Sequence, residues 1–290
     1  MTRPTEEIRR HWDRLIARGD PPSEWQIPID VAPPQRFEDE DRKPAIVCSF
    51  MRSGTHFLMG TMAKNFGFIA DPWLAIEHSP INFFYQRSVD RLFQLIADRR
   101  YQNIAQSHHS VEFLANSIEK FDGAILVLYI YRHPAYCLNS YRKFLPTWPG
   151  IDAAGCDDIV EFMQAKPAPH HAKLSWTLPE TMLDYWADHV RGWLQLAEQN
   201  KTIHVVRYED LAGDFSNQVR RMACFMGLDC ETPKPPDRSS YITAGPLASP
   251  AAEQRGWLAH ANACIEDRHP GLMAALGYAA APDSTSMQSV

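Results

Sequence analysis

Two continuous apolar runs constrain this chain more than anything else in it. "PAIVCSF" (44–50) and "GAILVLYIY" (123–131) are unbroken rather than alternating, as strands buried on both faces are. Each hands over to a short polar segment and then to helical spacing. Phe57, Leu58, Thr61, Met62 and Phe66 mark a helix over 55–66. Pro134 suits the first turn of a second helix that runs through about Phe144. "QNIAQSH" (102–108) and "TIHVV" (202–206) read as further strands, and 180–199 and 215–226 as helices, with Gly227 in the C-terminal glycine position of the latter. Buried strands alternating with helices imply an α/β chain with a central, mostly parallel β-sheet flanked by helices on both faces.

A chain of 290 residues can bury one sizeable core, and one domain over 44–280 is the simplest account. Residues 1–43 carry helical spacing at Ile8, Trp12, Leu15 and Ile16, then a proline- and charge-rich stretch expected to lie over that domain. Residues 281–290 form a polar tail expected to fray. No stretch approaches the roughly 20 apolar residues that cross a bilayer, and the charged N-terminus lacks a signal-peptide core. The six cysteines show no paired spacing and read as thiols of a reducing compartment. The expected location is therefore cytoplasmic. A formal charge of −6 speaks against a nucleic-acid partner, but not against a small anion held by local charge.

The segment "CSFMRSGTHFLMG" (48–60) supplies such a place. It sits at the carboxyl end of a strand and at a helix N-terminus, where unpaired N–H groups and the helix dipole favour phosphate or sulfate. Gly54 lets the backbone approach, Ser53 and Thr55 offer hydroxyls, and Arg52 offers paired donors. An ordinary capped strand–helix junction is the plainer alternative. An ATP-type loop needs G-x-x-x-x-G-K-[ST]; the polar knot at 52–56 has one glycine and no lysine, and no downstream acid closes a buried strand to hold magnesium, so kinase chemistry is disfavoured. A second turn, "YRHPAYCLNSYRKF" (131–144), places Arg132 at a strand end and Ser140 eight residues on.

Together the two turns resemble the sulfotransferases that use PAPS, 3′-phosphoadenosine 5′-phosphosulfate. The family's 5′-phosphosulfate loop is matched by Met51, Arg52, Ser53, Gly54, Thr55, His56, Phe57 and Leu58. Its 3′-phosphate element is matched by Arg132, His133, Pro134 and Ser140. A Y-E-D-L element stands at 208–211, and the tail shows Arg255, Gly256 and Trp257 and a closing L-G-Y at 276–278. The resemblance implies a P-loop NTPase-like sulfotransferase fold, PAPS as co-substrate and no required metal. It also implies that Arg52 stabilises the leaving phosphate, where many members have lysine. A catalytic base at His108 follows from the match of "QSH" to the family's K-T-H, with Gln106 in place of the lysine. His109 is the rival for that role. Tyr208 is implied to reach the adenine, and Arg255 to support the 3′-phosphate. His56 either donates to a sulfonate oxygen or packs on the helix. Asp210 reads as a helix cap.

Aromatic residues crowd 71–86, 144–151 and 170–186. Trp73, Phe83, Phe84, His109, Trp148 and Trp176 are expected to line an acceptor pocket with few basic groups. A small-molecule, glycolipid or natural-product hydroxyl fits that better than an anionic polymer. A homodimer is compatible with the resemblance. Zinc on His108, His109, His170 and His171 lacks a completing acid or cysteine ligand. The competing reading is a P-loop-like nucleotide-binding protein without transfer activity.

Overall fold

The chain enters its sheet at β1 (Ala45–Ser49), every residue of which is buried. This is a computed structural model; it describes residues 35–39, 41–79, 81–147, 158–237 and 252–278. The N-terminal helix expected near Ile8–Ile16, Trp148 and the polar tail lie outside the described residues, as does the side chain of Arg255. Four further strands follow: β2 (Ile69–Ala75), β3 (Asn103–Ser107), β4 (Leu126–Tyr131) and β5 (Ile203–Arg207). They form one parallel sheet in the order β2-β3-β1-β4-β5. The longer helices between them are α1 (Thr55–Phe66), α2 (Gln86–Arg99), α3 (Ala115–Lys120), α4 (Pro134–Phe144), α5 (Ile159–Gln164) and α6 (Met182–Gln199). After β5 come α7 (Tyr208–Gly213), α8 (Phe215–Met226), α9 (Ala252–Arg268) and α10 (Leu272–Ala275).

Period-two alternation decides what each face of the sheet meets. Val47, Leu128 and Ile130 pack with Leu58, Met59 and Met62 of α1 and Met222 of α8. Tyr129 turns to the opposite face and stacks on Trp193 of α6, with ring centroids 5.1 Å apart. Both faces are thus covered, which is why the strands read as unbroken apolar runs.

Two elements depart from the sequence reading. Ile69–Ala75, placed partly in an aromatic loop, is the edge strand β2, where Pro72 is tolerated because its missing N–H costs no ladder bond. Helix α2 was not anticipated at all; it is amphipathic, burying Val89, Leu92, Phe93 and Ile96. The helix expected from residue 180 starts at Met182 behind a Thr181–Asp184 capping box.

This strand order has a consequence for binding. From β1 the chain runs outward to β2 and β3, then crosses to β4 and β5 on the other side. The carboxyl ends of β1 and β4 are adjacent and their connections lead in opposite directions. A crevice opens at such a switch point in parallel α/β sheets. Both polar turns singled out above border it.

Candidate active site

The turn after β1 is built for a close backbone approach. Arg52 has φ 65° and Gly54 φ 99°, so two left-handed residues fold the chain back under the first turn of α1. A side chain at Gly54 is excluded on two counts. The conformation favours glycine, and a Cβ there would lie 2.4 Å from Tyr208 Cδ2. Gly54 also stands at the helix N-cap and supplies no side-chain acceptor. The first N–H groups of an α-helix have no intrahelical partner. Here they face the switch point uncapped.

The turn after β4 is built differently. His133 caps α4 by accepting the Ala135 N–H at Nδ1 (3.2 Å), and Pro134 has no N–H. The His133 N–H donates to Glu209 Oε1 (3.0 Å). Its capacity for an anion rests on Arg132. That guanidinium lies over the Tyr208 ring, 4.4 Å from the centroid, and its Nε is buried without a hydrogen-bond partner. A buried unpartnered guanidinium nitrogen is costly unless a ligand takes it.

Ser140 links the turns: its Oγ accepts from Arg52 Nε at 3.2 Å. The Arg52 guanidinium also lies 4.7 Å from the centre of the Phe144 ring. Burial lowers the Arg52 pKa, the charge of Arg132 works in the same direction, and Cys137 opposes them. Two cations converge on one crevice, the electrostatic requirement for binding a polyanion.

His108 stands at the end of β3, beside β1. Its Nδ1 lies 2.8 Å from the carbonyl oxygen of Ser49, which can only accept. That fixes the ring hydrogen on Nδ1 and leaves Nε2 as the basic nitrogen. Nε2 accepts from the Gln106 amide at 2.7 Å. The backbone N–H of His108 donates to Glu77 Oε2 at 3.1 Å. Ser49 Oγ also lies 2.7 Å from Thr55 Oγ1, tying the His108 support to the first turn.

The remaining expected residues divide. His56 packs edge-on against Trp73 at 4.8 Å, and its pKa falls to about 4 through burial first and then the charges of His108 and Arg52. It is a neutral ring at neutral pH. Phe57 packs against Tyr208 at 5.9 Å, beside the crevice. Ser53 is buried, with Oγ 3.4 Å from Cys137 Sγ. His109 is not brought to the site: it stacks on Phe83 at 3.8 Å in the core, and burial drives its pKa to about 3. The period-two alternation that turns Gln106 and His108 one way turns Ser107 and His109 the other. Phe84 and Trp176 are surface residues 5.5 Å apart with Phe113 beneath them. Asp210 is no helix cap: α7 begins after Arg207, and Asp210 takes that guanidinium in an ion pair.

Three residues escaped the sequence reading. Ser49 ends an apolar strand, a polar exception that marks the binding edge of a sheet. Glu77 follows a strand that was itself not recognised. Gln106 was noted only as a departure from lysine, whereas its amide holds the His108 ring. Among the described residues no group of three His, Cys, Asp or Glu is placed to hold a metal ion, and no helix is long and apolar enough to cross a membrane.

A guinea pig 3-alpha-hydroxysteroid sulfotransferase is 26% identical over 136 residues, 47% of this chain and 42% of the relative. Mouse sulfotransferase 2B1 is 24% identical over 132 residues, 46% of this chain and 35% of the relative. The matches thus span about two fifths of the curated relatives' length. Among solved structures, a mouse sulfotransferase complexed with PAP is 17% identical, with TM-score 0.48, covering 68% of this chain and 61% of that one. A sulfotransferase from Alicyclobacillus acidocaldarius is 14% identical, with TM-score 0.46, covering 82% and 97%. The profile of the sulfotransferase domain family matches residues 42–242, which hold both turns and His108, and this chain belongs to that family.

Proposed function

We propose that this chain is a PAPS-dependent sulfotransferase. It moves the sulfuryl group to a hydroxyl of a small or lipidic, partly apolar acceptor, leaving a sulfate ester and 3′,5′-ADP (PAP). The observation that carries this reading is the pair of unlike anion grips on one crevice. One is an uncapped helix N-terminus beside Arg52; the other is Arg132 with a buried, unpartnered Nε.

PAPS supplies a sulfuryl group on a phosphate leaving group. Arg52, Ser53, Gly54, Thr55, His56 and Phe57 hold its 5′ end, with Ser140 accepting from Arg52 Nε and steadying it there, and Arg132 and Arg255 take its 3′-phosphate. Tyr208 lies under the nucleoside. Arg52 offsets charge that builds on the leaving phosphate, which it does as a fixed cation and not as a proton donor. His108 takes the acceptor's proton at Nε2, and the Gln106 amide yields that nitrogen to the incoming hydroxyl. The Ser49 carbonyl keeps the ring aimed while this happens, and Glu77 anchors the His108 main chain. Trp73, Phe84 and Trp176 form the apolar side of acceptor recognition, while Phe83 and His109 back it from the core. The family match and the absence of a P-loop lysine favour this over a kinase.

Calorimetry with PAP and radiolabelled PAPS tests the reading. Both nucleotides are expected to bind and to raise the melting temperature. With a panel of phenols and aliphatic alcohols, label passes to at least one acceptor. His108→Ala is expected to cut transfer by about 10²- to 10⁴-fold with PAP affinity unchanged. A protein that binds PAP but never spends PAPS, and is indifferent to His108→Ala, is the non-catalytic nucleotide binder instead.

A further inference from the structure

The end of the described chain grips the turn that carries Arg132. Three contacts fasten 276–278 to the ends of β4 and β5 and to the first turn of α7. Tyr131 Oη donates to the Leu276 carbonyl at 3.5 Å, Arg207 Nη1 donates to the Gly277 carbonyl at 2.6 Å, and Tyr278 Oη donates to Glu209 Oε2 at 3.0 Å. Glu209 is thereby held at both oxygens, since Oε1 accepts the His133 N–H. The Tyr278 ring sits edge-on to His133 at 4.9 Å, with the Arg207 guanidinium 5.4 Å from its centroid. Burial and the Glu209 carboxylate push the Tyr278 phenol well up, so it stays a donor.

What makes this arrangement informative is the neighbour it leaves alone. Glu209 follows Tyr208, the residue over whose ring Arg132 lies, and both charges reach Tyr208 and Tyr136 with opposite sign, Glu209 raising their pKa values and Arg132 lowering them. A free carboxylate beside an unpartnered guanidinium closes on it as an ion pair. Here the carboxylate is pinned by two donors and the Arg132 Nε remains without a partner. We infer that Tyr278 is a positioning residue for the nucleotide site: by holding Glu209, it keeps an internal carboxylate from occupying the guanidinium that takes the donor's 3′-phosphate. The 3′-phosphate preference therefore depends on a hydroxyl that does not touch the nucleotide. This rests on the proposed reading of Arg132.

Binding of PAP and of 5′-AMP, which lacks only the 3′-phosphate, separates this role from a merely structural one. Tyr278→Phe is expected to weaken PAP about tenfold, the scale of one hydrogen bond to a charged group, and to leave AMP within about twofold. Adding Glu209→Gln removes the competing carboxylate and is expected to restore PAP affinity to within about threefold of wild type. Equal losses for PAP and AMP, unchanged PAP affinity in Tyr278→Phe, or no rescue in the double variant each overturn the inference. If Tyr278→Phe does not fold, Glu209→Gln alone decides: PAP affinity at or above wild type supports the inference, and a fall overturns it. Wild-type protein that binds PAP no better than AMP removes the proposed donor site and the inference with it. A clear wild-type preference with an unaffected Tyr278→Phe removes the inference alone.

Discussion

The turns after β1 and β4 look alike in sequence, each an arginine between a buried strand and a helix, yet in the proposed reading they would meet an anion by opposite means. At the first, the helix start is stripped of caps and the backbone itself is the ligand surface. At the second, the leading backbone donors are taken: His133 caps the N–H of Ala135, Pro134 has none to give, and Glu209 takes the N–H of His133. There the unpartnered Nε of Arg132 is the donor that the proposed reading uses. The difference teaches that two arginines at strand ends can sit in unlike surroundings, and that their neighbours decide whether main chain or side chain is left to offer donors. Mutations should therefore act by different routes at the two turns.

The largest effect is expected at Gly54. Gly54→Ala forces a left-handed residue and a Cβ into the Tyr208 ring. Strain and overpacking together cost about 3 kcal/mol of stability. Because the backbone is the grip, PAP and AMP binding are expected to be lost together in calorimetry. A Gly54→Ala protein that binds AMP as wild type does breaks the comparison.

Arg132→Ala is next. With the N–H groups of His133 and Ala135 already taken, PAP affinity is expected to drop about hundredfold, the upper range for hydrogen bonds to a charged group. AMP affinity is expected to stay put. Arg132→Lys recovers only part of the loss, since a point charge does not reproduce the guanidinium fork. Equal loss of PAP and AMP in Arg132→Ala places this arginine at the 5′ end instead.

Much of this was legible beforehand because the information is local. Apolar runs with turn residues at fixed offsets marked β1 and β4, and Pro134 marked its helix start. What was not legible is what depends on the pairing of distant segments. β2 hides because an edge strand needs no continuous apolar run; it carries Asp71 and Pro72 where solvent meets it. Glu77 became meaningful only once β2 was placed beside β3, where its carboxylate meets the His108 N–H. The choice between His108 and His109 needed the pleat of β3, which one-residue ambiguity conceals in sequence. The capping by His133 was invisible because histidine is an uncommon cap.

Ser140 sharpens the comparison at a smaller scale. The family resemblance assigns it to the 3′-phosphate, but its hydroxyl accepts from Arg52 of the other turn. Loss of one such bond costs about 1 kcal/mol. Ser140→Ala is accordingly expected to weaken PAP and AMP alike, by about fivefold, through a loosened Arg52. A loss confined to PAP returns Ser140 to the second grip.

The smallest effect concerns His56, which occupies a place where the family more often has threonine. Burial holds its folded pKa at about 4, below the model-compound value of 6.5. A histidine with a depressed folded pKa leaves stability untouched above pH 6.5, where both states are neutral. As pH falls from 6.5 towards 4 the unfolded chain binds the proton first, and stability is lost by up to about 1.4 kcal/mol per pH unit. His133 and His171, whose pKa values burial also lowers to about 4, contribute to the same acid slope. His56→Thr deletes one proton from it, so urea midpoints measured between pH 6.5 and 4 should fall less steeply than in wild type. The gap is expected to vanish above pH 7. An unchanged slope means that His56 is protonated in the folded site, which would make the first turn a two-cation grip, Arg52 with His56, rather than a backbone one.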